Sequence, residues 1–284
     1  MAIKNTDVFI NELLADAIKK GFTGLSVMQG TGAAIVKTSL TEGAAKVGSK
    51  VLIPYFTNMG EADDVATDGD GLTPASLTSS TTEATVVHSG KAFEMTYLAQ
   101  SGAGDPYAEA SAQIIEACKR RIDKALIDKA CDETSWASFI QDGSAATINI
   151  DAIIDAMAKF GDQPDDYAAL VVHSKVRADM YKIKDSTGRP ILTDSQQGSA
   201  PVLRAFGIPV ITSDRVKLAS SVYSNLLLKK GSLAVWIDGN PKVLKGVNEL
   251  KDTENVAAHI YWAAARYNNL PGSDKPGCVI LKTK

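Results

Sequence analysis

The sequence predicts an α+β chain, and three observations lead there. From Tyr107 to Ser135 no Gly or Pro interrupts a helical apolar period. Ahead of that helix, two strand-like segments, Lys50–Thr57 and Glu83–Gln100, flank a long loop. Behind it, short helical and strand patterns alternate and read as a second, compact domain. With 284 residues the chain is long enough for about two domains and buries roughly 75% of its unfolded surface.

The elements follow in order. Asp7 to Lys20 sets Phe9, Leu13, Leu14, Ala17 and Ile18 on one helical face, with Lys19, Lys20 and Gly21 as stop signals. Phe22 to Gly48 is rich in Gly, Ala and Ser without a sustained period, which suits an extended arm better than a core element. KVLIPYFT at 50–57 is a strand that Pro54 demotes to an edge. Its return runs from Glu83 to Gln100, where Phe93, Met95 and Tyr97 alternate with Ala92, Glu94 and Thr96. Between them lies a loop with DGDG at 68–71, a length that in a compact domain is functional or disordered.

Asp105-Pro106 reads as a helix cap followed by Pro at the first helical position. The helix it opens, about 26 residues and ~39 Å long at 1.5 Å per residue, carries Ile114, Ile115, Cys118, Ile122, Ala125 and Leu126 as its apolar stripe. Lys119, Arg120, Arg121, Asp123, Lys124 and Asp128 form its wet side. Then come a helix over 151–160 closed by Gly161, a buried strand at 168–173 and a helix from Ser174 to about Lys182. The segments 185–188 and 195–199 read as loops. FGIPVITSD (206–214), 226–228 and 232–238 read as strands, as do 255–267 and 278–282, although an Ala run makes 255–267 ambiguous with helix.

Charge and cysteines narrow the class. Thirty Lys and Arg against 33 Asp and Glu give a net charge of −3, so the basic excess of a dedicated nucleic-acid binder is missing. Cys118, Cys131 and Cys278 are odd in number and widely spaced, which argues against a disulfide framework or a zinc knuckle and favours a reducing compartment. No stretch approaches the roughly 18 consecutive apolar residues of a membrane-spanning helix, and no secretory leader is legible.

Catalytic and cofactor patterns fail in turn. GTGAAI from Gly30 lacks the lysine of a phosphate loop, and Ile35 stands where a dinucleotide fingerprint needs its third glycine. Aligning Gly71 with the glycine of a calcium loop puts Ala66 and Leu77 at ligand positions, so a solvated turn is the simpler reading of DGDG. His88, His173 and His259 fit no metal-ligand spacing, so a metal site would have to be assembled by the fold. No nucleophile elbow surrounds Ser174. The sequence therefore implies no enzyme, no cofactor and no metal.

The charge arrangement says more. From Val51 to Gly90 there is no Lys or Arg, while Glu61, Asp63, Asp64, Asp68, Asp70 and Glu83 are acidic. A solvated loop is the plain reading. The functional reading is an acidic hairpin that reaches a neighbouring subunit and meets a basic cluster such as Lys119, Arg120, Arg121 and Lys124.

In this order of elements, with VLIP at 51–54, GDPYAEASAQIIEACKRRIDKALIDKA at 104–130, LVVHSKVRADMYKI at 170–183 and FGIPVITSD at 206–214, the chain resembles the major capsid protein of tailed bacteriophages. The resemblance is to the Hong-Kong-97-type fold and covers nearly the whole chain. It implies an N-terminal arm (1–48), an extended β-hairpin loop lying over the adjacent subunit (49–104) and a peripheral domain around a spine helix (105–133), completed by return strands (241–284). An axial domain (134–240) would meet its copies around five- and six-fold axes.

By the same resemblance the function is that of a coat protein. Copies would form hexamers and pentamers of an icosahedral head shell around double-stranded DNA, in the virion, after assembly in the host cytoplasm. Implied partners are the chain itself, a portal, possible decoration proteins and packaged DNA held by weak, non-specific contact, with no membrane. Some members cross-link a loop lysine to a neighbour's asparagine; here no lysine lies between Lys50 and Lys91, so non-covalent stabilisation is expected. The hairpin begins near residue 50 and leaves no room for a fused scaffolding segment, so a separate scaffolding protein is expected. Two other readings stand beside this one: an encapsulin-like compartment shell of the same fold enclosing enzyme cargo, and a small-molecule enzyme built on 150–240.

Overall fold

A computed structural model of the chain describes residues 27–37, 48–56, 62, 74, 76–96, 106–133, 137–162, 166–184, 188, 194–197, 200–239, 241–248, 250–251, 253–267 and 275–284. The expected helix over 7–20 and the expected cap Asp105 lie outside these residues. The chain divides into two units, Met1–Val51 with Ala84–Lys129 and Leu233–Ala265, and Leu52–Glu83 with Ala130–Ser232 and Arg266–Lys284.

The first unit is built on a five-stranded sheet. A helical turn α1 (Val27–Gly30) leads into β1 (Ala34–Lys37), and the chain later contributes β4 (Val87–Thr96), β12 (Leu233–Ile237), β13 (Lys242–Asn248) and β14 (Thr253–Arg266). The strand order is β1-β12-β14-β13, with β4 also on β14. Along β14, Glu254, Val256, Ala258, Ile260 and Trp262 are buried at alternate positions. That period of two resolves the Ala-rich segment as a strand.

β1 corrects the expectation of an arm throughout 22–48. It pairs in parallel with β12, Ala34 opposite Leu233 and Lys37 opposite Trp236, and Met28, Ala33 and Ala34 are buried. The Thr31 hydroxyl turns the chain by donating to the Met28 carbonyl at 2.8 Å and accepting the Ala33 N–H at 3.2 Å.

The long helix α2 (Pro106–Ala130) starts at the expected proline and runs 25 residues. Ile114, Cys118, Ile122 and Leu126 bury its apolar stripe as the period predicts. Each Ile or Leu of that stripe is worth about 1.5–3 kcal/mol when fully buried. Asp123 departs from the expected wet side: it is buried and accepts the Met28 backbone N–H at 3.3 Å.

The hairpin also differs from its sequence reading. β2 (Lys50–Phe56) pairs with β3 (Ser79–Thr85) in a two-stranded sheet. The alternating segment expected to pair with β2 is instead β4, whose partner is β14. At the base, the Gly48 N–H donates to the Val86 carbonyl at 3.0 Å and the Val86 N–H to the Ser49 carbonyl at 2.8 Å. Buried Val86 separates β3 from β4 and ends the hairpin pairing there.

The second unit holds an eight-stranded sheet made of β5 (Ile140–Gly143), β6 (Tyr167–Val172), β7 (Asp194–Gln197), β8 (Ala200–Ala205), β9 (Ile208–Thr212), β10 (Leu218–Ala219), β11 (Val222–Lys229) and β15 (Cys278–Thr283). The order is β5-β15-β11-β6-β9-β8-β7, with β10 on β11. Helices α3 (Ile150–Ala158) and α4 (Ser174–Met180) supply Ile153, Ala156, Val176 and Met180 to a core shared with Leu170, Val172, Leu227 and Val279. The Asn149 side chain caps α3 by accepting the Ala152 N–H at 2.8 Å, and Gly161, with φ of 67°, follows its end as expected.

Two expectations change here. The 195–199 segment read as a loop contains most of β7, because backbone pairing with β8 compensates for its polar side chains. The last strand, grouped in sequence with the return strands of the spine-helix domain, lies antiparallel to β11, Leu228 opposite Cys278 and Tyr223 opposite Thr283. Its apolar run CVIL is buried in that sheet.

Candidate functional site

Side chains of β2 alternate between two faces. Ile53 is buried, whereas Leu52 and Phe56 are 59% and 58% exposed, and Pro54 between them is exposed too. Leu52, Pro54 and Phe56 therefore share one apolar outward face, and Leu77, just ahead of β3, is 54% exposed. An apolar strand face left in water is a candidate interaction site. Sequence reasoning recognised the hairpin but missed this face; the signal was the i, i+2, i+4 spacing of Leu52, Pro54 and Phe56.

The basic cluster lies on α2. Arg120 and Lys124 are four residues apart and share an exposed line with Glu116, whose Oε1 accepts from Arg120 Nε at 2.7 Å. Both partners are more than half exposed, so this pair contributes at most about 0.5 kcal/mol. The exposed Arg121 guanidinium lies 5.6 Å from the centre of the Trp262 ring, and Lys119 is half-buried. The structure thus places all four cations on one helix, with one partly neutralised by its own chain and one steered by an aromatic face. The proposed acidic partners, Glu61, Asp63, Asp64, Asp68 and Asp70, lie outside the described residues.

Groups that resemble catalytic sets make local structural contacts. His173 Nδ1 accepts the Lys175 N–H at 3.2 Å as the cap of α4, and Asp214 Oδ1 accepts the Ser174 N–H at 3.2 Å. The Ser174 hydroxyl, then its backbone N–H, holds the Asp214 carboxyl below the usual carboxylate range. Burial raises the Cys118 thiol, and burial pushes Cys278 up to about 12, partly offset by the Arg266 charge. Such thiols are poor nucleophiles. Arg266 donates to the Ala130 carbonyl at 3.1 Å, satisfying the last residue of α2.

Among the described residues no group of three or more His, Cys, Asp or Glu has metal-ligand geometry, and no helix is long and apolar enough to cross a membrane. The fold does bring together two histidines that the sequence keeps far apart, His88 and His259, with ring nitrogens 3.0 Å from each other.

A family model described as phage capsid protein matches residues 78–269. Among solved structures, a chain from Microbacterium phage Oxtober96 superposes with a TM-score of 0.65 at 13% identity, covering 92% of each chain. One from Mycobacterium phage Adephagia gives 0.63 at 13% identity, over 92% of this chain and 91% of that one. The capsid of an empty GTA particle gives 0.67 at 14% identity, over 91% of this chain and 89% of that one. At these identities the structural likeness is one of fold. No curated protein matches the sequence.

Proposed function

The chain belongs to the phage capsid protein family and is a structural capsid protein, and we propose that its copies close into the icosahedral head shell of a tailed bacteriophage around double-stranded DNA. The observation that carries the assembly step is the exposed face of Leu52, Pro54 and Phe56 on the hairpin. In the shell this face lies against an adjacent subunit, where burying it supplies non-directional adhesion. The acidic stretch from Glu61 to Glu83, with no Lys or Arg from 51 to 90, steers the hairpin toward the Lys119, Arg120, Arg121 and Lys124 cluster of a neighbour. The net charge of −3 suits a container, since a strongly basic lining would grip the genome through many phosphate contacts.

Stabilisation is non-covalent, because the loop offers no lysine between Lys50 and Lys91 for an isopeptide bond. Denaturing gels of mature particles are expected to show single chains, and a ladder of cross-linked chains would contradict this. The decisive experiment is sedimentation velocity of the purified chain, alone and with its assembly partners, followed by negative-stain microscopy of the fastest fraction. Shells, or rings the size of pentamers and hexamers, are expected. A chain that stays monomeric at high concentration under every condition refutes assembly. Packaged double-stranded DNA, rather than enzyme cargo, is the expected content of particles from infected cells.

A further inference from the structure

The cross-strand histidine pair is unused by the capsid function. His88 on β4 faces Tyr261 in the register of β14, and Gly90 faces His259. His88 Nε2 and His259 Nδ1 approach to 3.0 Å, their ring centres are 5.0 Å apart, and His88 also stacks on the Tyr261 ring at 4.6 Å. His88 is exposed and His259 half-buried, so the pair lies at the surface of the sheet. Gly90 makes room for this arrangement. A β-carbon there would sit 3.0 Å from His259 Nδ1 and 2.7 Å from the Ala258 carbonyl oxygen. Glycine inside a strand is otherwise unfavourable, and marks a place where another group approaches the backbone closely.

We propose that His88 and His259 form a two-histidine site for a divalent transition-metal ion of tetragonal preference, Cu²⁺ or Ni²⁺, with water in the remaining positions. The spacing is compatible with this class. Two imidazole nitrogens about 2.0 Å from one ion stand roughly 2.8 Å apart at a right angle and roughly 3.3 Å apart at a tetrahedral angle. The observed 3.0 Å, the length of the hydrogen bond the two rings share, lies nearer the right-angle value. Proton balance is simple. In the neutral pair one of the two facing nitrogens carries the proton that the other accepts; on metal binding that ring moves its proton, through solvent, to its far nitrogen. Both facing lone pairs then reach the ion with no net proton release. The ion bridges β4 and β14, clipping the return of the hairpin to the central strand.

The test is titration of the full-length, untagged chain with NiCl₂ and with CuCl₂ in a non-coordinating buffer. The chain has three histidines, which makes the variant set complete. One ion per chain is expected at saturation. Affinity should fall at least tenfold in His88→Asn and in His259→Asn, and stay unchanged in His173→Asn. Electron paramagnetic resonance of the Cu²⁺ form of the wild-type chain, which needs no variant to fold, should show coupling to two imidazole nitrogens. Absence of saturable binding, unchanged affinity in both pair variants, loss in His173→Asn, or coupling to fewer than two nitrogens overturns the site.

Discussion

Asn225 shows how one residue holds the second unit's sheet together. It has no exposed surface. Its Nδ2 donates to the Leu281 carbonyl at 3.2 Å and to the Thr283 hydroxyl at 2.8 Å, while its Oδ1 accepts the His173 N–H at 3.4 Å. Asn225→Leu keeps the branched four-atom outline but strips partners from three polar groups, so a loss of about 1–3 kcal/mol is expected in urea unfolding. A loss below ~0.5 kcal/mol would mean that water or a backbone shift replaces those bonds. Cys278 makes a second residue-scale prediction. Its thiol is raised from 9.0 to about 12 in the folded chain, chiefly by burial. A raised folded value means that this contribution to stability is complete below pH 9 and is lost as pH climbs toward 12. The urea midpoint should therefore fall between pH 9 and 11, and Cys278→Val should flatten that fall. A thiol reagent at pH 8 should label the native chain only as fast as it opens.

Elements were legible where a local period agreed with tertiary burial. The buried stripe Ile114, Cys118, Ile122 and Leu126 follows a helical repeat, and the Gly161 stop signal follows the end of α3, whereas its Asn149 cap emerged only from the structure. They were illegible where pairing decided against side-chain character. Polar β7 is a strand because β8 lies beside it, and buried Asp123 reads as a wet-side residue until the Met28 N–H is found against it. The candidate site divides in the same way: its cations are plain in the text of α2, whereas the exposure of Leu52 and Phe56 depends on what the rest of the chain fails to cover. The β8–β9 turn adds a detail no period contains. Phe206 and Gly207 have φ of 53° and 80°, the geometry of a two-residue hairpin turn in which both residues are left-handed. Phenylalanine is costly there, by ~1 kcal/mol or more, and its ring is 50% exposed. Phe206→Asn should raise unfolding stability by about 0.5–1 kcal/mol, since asparagine tolerates this conformation. A decrease would mean that the ring contributes more by packing than its backbone loses.

At the scale of the whole molecule the question is which force closes the shell, the apolar hairpin face or the charges, and salt separates them. Screening shortens the reach of exposed charges from about 10 Å at 0.1 M salt to about 3 Å at 1 M, while burial of Leu52 and Phe56 is unaffected or slightly strengthened. More than half of each of those side chains is still to be buried, worth about 1–2 kcal/mol apiece, whereas exposed ion pairs such as Arg120 with Glu116 offer well under 1 kcal/mol. The apolar face should therefore set the stability of the assembly and the charges its rate. Three results are expected together. Assembled particles persist in 1 M NaCl, although their formation from subunits slows. Replacing Lys119, Arg120, Arg121 and Lys124 by Gln slows formation at low salt and removes most of its salt dependence. Leu52→Glu with Phe56→Glu abolishes particles at every salt concentration yet leaves the unfolding free energy of the isolated chain within about 0.5 kcal/mol of wild type, since both side chains are mostly exposed before assembly. Light scattering follows formation and urea titration follows the fold. Particles that dissolve in 1 M NaCl would reverse the assignment and make the acidic hairpin and the basic helix the principal adhesive.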